Sequence, residues 1–284
     1  MRVTFLMLTI LACAALYGGE AADPEEALRQ AGAEVRHGAV LLRGKEAGEF
    51  TALVPHLKAL PELRILSLAG SKANDADVQE LAALPHLTSV DLSGTTVTDA
   101  GLAALKGLGP LESVRLNDTK IGAGALDSLK VHAAALRELQ LDGTALNDAA
   151  LESLGLFTKL TALSLRKASA TSAGLAALKD LAALQSLDLS DTGVDGAVLA
   201  HLAKLPELKS LKLSNTKIDD ASLGVLREAP KLSWLFLDGT PVSDAGVEAL
   251  AALKLEVLNL RRTKLTETGL AKLAESLPKT RILK

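Results

Sequence analysis

The five histidines and the single cysteine are the residues of this 284-residue chain best suited to bind a metal or act as a nucleophile. The histidines are His37, His56, His86, His132 and His201. No two of them have the spacing of a metal-ligand pair, and no cysteine accompanies them. The chain also has no glycine-rich phosphate loop, nucleophile elbow or Ser/His/Asp grouping. We therefore predict no metal, no cofactor and no enzymatic activity.

Polar residues do recur at fixed spacing, in a pattern that suits folding better than catalysis. The sequence contains nine copies of a repeated segment, and one position of that segment is Thr in seven of them. The residues at this position are Ser71, Thr95, Thr119, Thr144, Ala168, Thr192, Thr216, Thr240 and Thr263. A hydroxyl there can bond backbone groups left over by a buried turn. Three residues later, as at Asn74 and Thr98, stands a helix-capping type. An acid often follows, as at Asp75 and Asp99, where it meets the positive end of the helix dipole.

The elements that position these residues form a repeat of about 24 residues. The copies begin at Leu63, Leu87, Leu111, Leu136, Leu160, Leu184, Leu208, Leu232 and Leu255. Each opens with LxxLxL, which is a strand with one buried face, and continues through a turn into a short Ala- and Leu-rich helix. Such a unit is too small to be stable alone. The sequence therefore predicts an α/β solenoid, in which parallel strands form one face and helices the other.

Residues 23–62 are predicted to form an amino-terminal cap with one degenerate repeat. Asp23 and Glu26 provide a capping box for a first helix. Residues 34–37 and 39–43 read as short strands, and residues 50–60 as a second helix. The cap is needed because the first regular unit would otherwise expose its apolar face.

Residues 63–284 are predicted to hold nine regular repeats and a truncated tenth, which opens at Leu277. Phe50 and Phe157 occupy positions equivalent to core leucines and are predicted to pack inside. Aromatic residues make up only 2% of the chain, so the core must consist of many small, equivalent side chains. We expect a monomer, although pairing through the last strand is an alternative.

The motif LxxLxLxxT with its TxVxDxGLxxL continuation resembles the leucine-rich repeat family. The resemblance covers residues 39–284, although Thr replaces the Asn or Cys that the family usually has at the turn. It looks like bacterial exported repeats and is also similar to those of ribonuclease inhibitor and F-box substrate receptors. The resemblance implies a curved right-handed superhelix with the sheet on its concave face and short helices on its convex face. It also implies that the concave sheet binds other proteins.

The amino-terminal segment reads as a targeting signal. Arg2 is followed by an apolar run over residues 3–11 that is too short to span a bilayer. We predict residues 1–22 to be a signal peptide cleaved after Ala21, with lipidation of Cys13 in a lipobox-like ILAC sequence as the alternative. Either reading exports the protein to the periplasm, cell envelope or extracellular space, and only lipidation attaches it to a membrane. The formal charge of -3 argues against nucleic-acid binding.

The predicted concave face carries mostly small or polar residues, with one exception. Trp234 and Phe236 both point outward from one strand. The residues predicted to surround them are Lys212, Val257, Asn259 and Arg261. Exposed aromatics beside arginine are typical of interface hot spots, so we predict a protein-binding site here. Alternatively, the two rings cover each other or the carboxyl-terminal tail folds over them.

A basic pair, Arg166 and Lys167, is predicted to be a solvated turn. For the whole chain we predict a non-enzymatic, exported interaction scaffold that binds a protein or surface ligand. The alternatives are a spacer protein of the cell envelope without a specific ligand, or an F-box-like substrate receptor. The amino-terminal segment argues against the last of these.

Overall fold

The structure, a computed structural model, describes residues 23–42, 44 and 49–284. The predicted signal peptide, residues 1–22, and its candidate lipidation site Cys13 lie outside the described residues. Within the described ranges, a single sheet of twelve three-residue strands follows the chain order without a crossover. The strands β1 to β12 are Glu34–Arg36, Ala39–Leu41, Ile65–Ser67, Ser89–Asp91, Ser113–Arg115, Glu138–Gln140, Ala162–Ser164, Ser186–Asp188, Ser210–Lys212, Trp234–Phe236, Val257–Asn259 and Arg281–Leu283.

The first two strands form an antiparallel hairpin, and every later pairing is parallel. This arrangement confirms the predicted solenoid, with its sheet on the concave face. The predicted tenth copy also forms its strand, because β12 pairs with β11.

Short helical segments return the chain across the face opposite the sheet. The α helices of the described residues, α1 to α9, are Pro24–Gln30, Glu49–Lys58, Asp75–Gln79, Asp99–Leu102, Ala125–Leu129, Asp148–Leu151, Leu199–Leu202, Val247–Ala251 and Glu267–Ser276. The 3₁₀ helices are Glu80–Ala83, Ala103–Gly107, Lys130–His132, Glu152–Leu156, Gly174–Asp180, Gly196–Val198, Asp220–Glu228 and Asp244–Gly246. The sequence predicted one continuous helix per unit, for example over residues 101–108, which is wrong in detail. A 3₁₀ helix rises about 2.0 Å per residue against about 1.5 Å in an α helix, so it spans the unit with fewer residues.

The segment before the regular repeats begins with a capped helix. Asp23 caps α1 through a hydrogen bond from the backbone N–H of Glu25 (3.1 Å). The predicted capping box is wrong, because the carboxylate of Glu26 instead accepts from the Gln30 amide (3.2 Å). The hairpin β1–β2 then joins the stack, since β2 pairs with β3 in parallel.

The LxxLxL residues form one continuous core along the stack. In the copy that starts at Leu87, the side chains of Leu87, Val90 and Leu92 are at most 1% exposed. Phe50 and Phe157 are buried in the same core, as predicted.

The threonine that recurs in the repeats closes the turn after each strand. In seven copies the Thr hydroxyl donates to the carbonyl three residues earlier, at 2.6–2.7 Å. The residue before it has a positive φ in all nine copies, and these residues are Gly70, Gly94, Asp118, Gly143, Lys167, Asp191, Asn215, Gly239 and Arg262. The turn therefore keeps one geometry even where the residue is not the glycine that this backbone favours.

In five copies the acid that follows the helix cap reaches into the next unit. The carboxylate of Asp75 accepts from both the backbone N–H (2.8 Å) and the hydroxyl (2.6 Å) of Thr98. Carboxylates that bond the next unit in this way belong to Asp75, Asp99, Asp148, Asp220 and Asp244. Hydrogen bonds from Thr171 hold the pKa of Asp148 below its usual value. The predicted role at the helix dipole thus misses an interaction that joins consecutive repeats.

Glycines make room for these carboxylates. A Cβ built at Gly101 would lie 2.4 Å from Oδ1 of Asp75, and the same conflict arises at Gly174, Gly246 and Gly269. Asp99 differs, because it accepts from two glycine N–H groups, those of Gly122 (2.8 Å) and Gly124 (2.9 Å). Units that follow a copy without the Asp carry Ala150, Val198 and Ser222 in place of the glycine. Asp and Gly therefore occur together in consecutive copies because they share one space.

His132 is a buried core residue of the convex side. It occupies the place that Leu84, Leu108 and Leu181 have in other copies, and it is 2% exposed. Its Nδ1 accepts from the backbone N–H of Leu111 (3.3 Å), while Nε2 lies 3.0 Å from the Leu105 carbonyl. Nε2 must therefore carry the proton of a neutral ring. Burial lowers the pKa of His132 below its ordinary value.

We expect Gly174→Ala to destabilise the protein by about 1–3 kcal/mol, because the added methyl group meets the Asp148 carboxylate. Alanine normally stabilises a helix relative to glycine by about 1 kcal/mol, so the sign of the effect is diagnostic. Urea unfolding provides the measurement. Gly224→Ala is the matched control, since a Cβ there meets no atom within 4 Å. The cost should disappear in an Asp148→Ala background, and an additive double variant would contradict the interaction.

We expect His132 to make the protein less stable in mild acid. Because its folded-state pKa is lowered, the unfolded chain binds the proton first. The contribution of the neutral ring is therefore fully present above the unfolded pKa and is lost as the pH falls towards the folded pKa. Unfolding free energies measured between pH 7.5 and 5 should fall less steeply in His132→Leu than in the parent protein. Exposed His86→Leu serves as the control, and equal slopes in parent and His132→Leu would refute the assignment.

Candidate functional site

The concave face is formed by the strand residues that alternate with the buried leucines. Along most strands these are half-buried serines and charged residues that bond one another. Arg115, for example, pairs with Glu138 across neighbouring strands (3.0 Å), and Glu138 also accepts from Ser113 (3.0 Å). The Arg115 guanidinium, with help from Ser113 and Gln140, lowers the pKa of Glu138 against the opposing effect of burial. Such groups are already satisfied within the protein.

The basic pair next to this region is only partly as predicted. Arg166 is exposed but is not simply solvated, because its Nε donates to the Asp191 carboxylate (2.7 Å). This bond raises the pKa of Arg166 and lowers that of Asp191. Nearby, a shallow polar depression of about 280 Å³ extends across the strands from Gln140 to Lys212.

Strand β10 places the predicted aromatic pair on the concave face. Trp234 is 47% exposed and Phe236 is half-buried, while Leu235 between them is completely buried. The parallel register sets Trp234 between Ser210 and Val257. Because Ser210 is small, one side of the indole remains open.

The predicted neighbours do surround the aromatic pair. Phe236 lies between Lys212 and Asn259 in the sheet register, and Arg261 follows β11 as an exposed residue. The alternative in which the tail folds over the rings is wrong for the described structure. The tail instead forms β12, which pairs with β11 and is separated from β10 by that strand.

Two acids that orient this site were missed by sequence reasoning. Indole Nε1 of Trp234 donates to the Glu256 carboxylate (3.1 Å). Asp238 accepts from Asn259 (3.0 Å), Arg262 (3.1 Å) and Ser214 (2.5 Å). Glu256 directly precedes Val257, the residue of β11 that lies beside Trp234 in the sheet. This position in the sequence was the signal that could have indicated the contact.

Lys212 is the remaining polar neighbour. It is held by a residue of β8, because its ammonium lies 3.3 Å from the Asp188 carboxylate. Together these bonds fix the polar groups around an aromatic surface that stays exposed. Among the described residues, no group of three or more His, Cys, Asp or Glu side chains could hold a metal ion. No helix in that part of the chain is long and apolar enough to cross a membrane.

Comparison with known proteins shows which repeat and which fold this chain resembles. A family model described as Leucine Rich repeat matches residues 83–106. No curated protein shows significant sequence similarity to the chain.

Several solved structures share the fold at low sequence identity. An internalin (inlF) from Listeria monocytogenes is 18% identical and has a TM-score of 0.52, with 92% of this chain and 93% of that chain covered. Internalin C2 (inlC2) from the same organism is 23% identical with a TM-score of 0.56, covering 75% and 84%. The ectodomain of the Arabidopsis receptor kinase HAESA, in complex with a peptide hormone, is 19% identical with a TM-score of 0.52, covering 74% and 36%. One copy of the repeat therefore matches the leucine-rich repeat model, and the chain shares the solenoid fold of these solved structures.

Proposed function

We propose that this protein is a non-enzymatic, exported scaffold that binds a partner protein through its concave face. The site is centred on Trp234 and Phe236. The observation that carries the proposal is the 47% exposure of Trp234 on a face whose other side chains are mostly small or polar. Large exposed aromatics of this kind are enriched at the centres of protein interfaces.

The Trp234 indole is held in an orientation in which a partner can contact the face of the ring. Its Nε1 bond to Glu256 limits rotation of the ring, so little side-chain entropy is lost when a partner covers it. Phe236 lies two residues further along β10, and its half-buried ring extends the same apolar surface. Tryptophan and phenylalanine together supply the type of apolar area from which hot spots are made.

The surrounding polar groups suit the rim of an interface. Lys212, Asn259 and Arg262 are oriented by Asp188 and Asp238, and their outer faces remain accessible. Arg261 adds an exposed cation beside the rings. A polar rim around an apolar centre excludes water from the central contact.

The peptide-bound HAESA ectodomain supports the proposal by analogy, because it shows a related solenoid used for binding. The apolar run over residues 3–11 supports export, with cleavage after Ala21 or lipidation at Cys13 as the two routes. We propose a monomer that is exposed to the periplasm, cell envelope or exterior. An envelope spacer without a specific ligand is the competing function, and the internal pairing of most concave polar groups favours it.

We expect Trp234→Ala combined with Phe236→Ala to reduce partner capture by at least about tenfold, because hot-spot truncations typically cost 2 kcal/mol or more. The measurement is cross-linking pull-down from the native envelope, quantified by mass spectrometry. The melting curve should change little, since both side chains lie on the concave face and outside the leucine core.

Ile65→Ala is the matched control for this experiment. Ile65 is also a large apolar residue at the corresponding position of β3, and it is 44% exposed at the far end of the same face. Its variant should capture the partner normally. Equal capture by the aromatic double variant and the parent would favour the spacer function, and loss of folding in the double variant would also refute the proposed site.

A further inference from the structure

A second cavity lies at the edge of the sheet where the chain enters β10. This edge pocket has a volume of about 250 Å³, and its lining includes Leu226, Arg227, Ala229, Leu232, Leu253 and Lys254. It is formed by the return segment of one repeat and the start of the next. The pocket is separate from the concave aromatic surface and does not depend on the function proposed for it.

The pocket exists because one core side chain is missing. Residues at the equivalent place in the other copies are Leu84, Leu108, His132, Phe157, Leu181, Leu205 and Leu253. All of these are large, whereas this copy has Ala229. Truncating a leucine to alanine removes the side chain that fills the space between consecutive units. The apolar floor that remains consists of Leu226, Leu232 and Leu253, each at most 6% exposed.

A backbone donor at this pocket lacks its usual acceptor. The N–H of the first leucine of a unit normally donates to the carbonyl three residues earlier, as at Leu87 (3.3 Å) and Leu184 (2.9 Å). The corresponding carbonyl for Leu232 belongs to Ala229, whose ψ is 104°, against 67° at Leu84. Among the described residues no such bond forms at Leu232.

Another copy shows how the protein satisfies this donor. Leu111 also comes three residues after an extended residue, Leu108 with a ψ of 161°, and its N–H donates to Nδ1 of His132, which stands later in the same unit. The residue that takes the place of His132 in the unit that starts at Leu232 is Leu253, which has no acceptor. An acceptor atom supplied by a ligand would complete the arrangement at the edge pocket.

The charged residues of the lining are all cationic. They are Arg227, Lys231 and Lys254, of which Lys231 pairs with Glu207 (2.6 Å). In the part of the chain that the structure describes, Arg227 and Lys254 form no ion pair. Two unpaired cations and a free N–H beside an apolar floor favour a ligand with one anionic and one apolar end.

We propose that the edge pocket binds a small organic carboxylate with a short apolar tail. One carboxylate oxygen accepts from the Leu232 N–H, and the charge is compensated by Arg227 and Lys254. The tail fills the space left by Ala229 and contacts Leu226 and Leu253.

Titration calorimetry of the purified protein with acetate, butanoate and hexanoate tests the proposal. Affinity should rise by about fourfold per methylene as the apolar floor is covered. Hexan-1-ol and inorganic phosphate, which each carry only one of the two features, should bind at least about tenfold more weakly than hexanoate. Hexanoate binding no tighter than hexan-1-ol or phosphate would overturn the proposal.

Two variants localise the binding. Ala229→Leu restores the side chain of the other copies and should abolish hexanoate binding without lowering the melting temperature. Arg227→Gln with Lys254→Gln should weaken hexanoate at least about tenfold and leave hexan-1-ol unchanged. This second variant decides the question if Ala229→Leu does not fold. Exposed Ala200→Leu and Lys204→Gln are the matched controls, and unchanged binding in both pocket variants would refute the site.

Discussion

Each repeat of this protein leaves polar groups that only its neighbour can satisfy, and the whole architecture depends on that constraint. A three-residue strand has no partner within its own unit, so its N–H and C=O groups bond the strands on either side. The helix caps follow the same rule, because Asp75 completes the bonding of Thr98 in the next copy. Buried backbone groups without partners are costly, which is why stability resides in the contacts between units.

This constraint also determines where the copies are free to differ. The leucines, the turn threonines and the paired Asp and Gly residues are all occupied in folding. The remaining variation falls on the concave positions and on occasional core substitutions. Trp234 is a variation at a concave position and Ala229 is a core substitution, and the two residues lie five residues apart. One adds apolar surface to the concave face, and the other opens a pocket at the adjacent edge. Both proposed binding sites therefore lie at residues that depart from the repeat in a single copy.

Much of the fold could be predicted from the sequence, because the signals were local and repeated. LxxLxL and the turn Thr recur at a fixed period, so strand register and core composition followed directly. The type of helix could not be predicted, since α and 3₁₀ segments with the same Ala- and Leu-rich composition differ mainly in the distance they must span. The contact between Asp148 and Gly174 joins residues in different copies, and only the packed stack shows that they share one space. At the candidate site, the exposure of Trp234 could be predicted from strand alternation. The bond from Trp234 to Glu256 depends on side-chain rotamers, which the pattern does not specify.

The pairing of Asp with Gly across unit boundaries also limits how the gene for such an array can change in length. Loss of the unit that starts at Leu232 by unequal recombination would bring Asp220 against Gly269, a compatible junction. Loss of the unit that starts at Leu111 would instead put Ala149 in the place of Gly124, where a Cβ would lie 3.0 Å from the Asp99 carboxylate. The compatible deletion removes Trp234 and Phe236 together. Recombination can thus remove the proposed binding residues in one step, while the units on either side of the deletion still pack against each other.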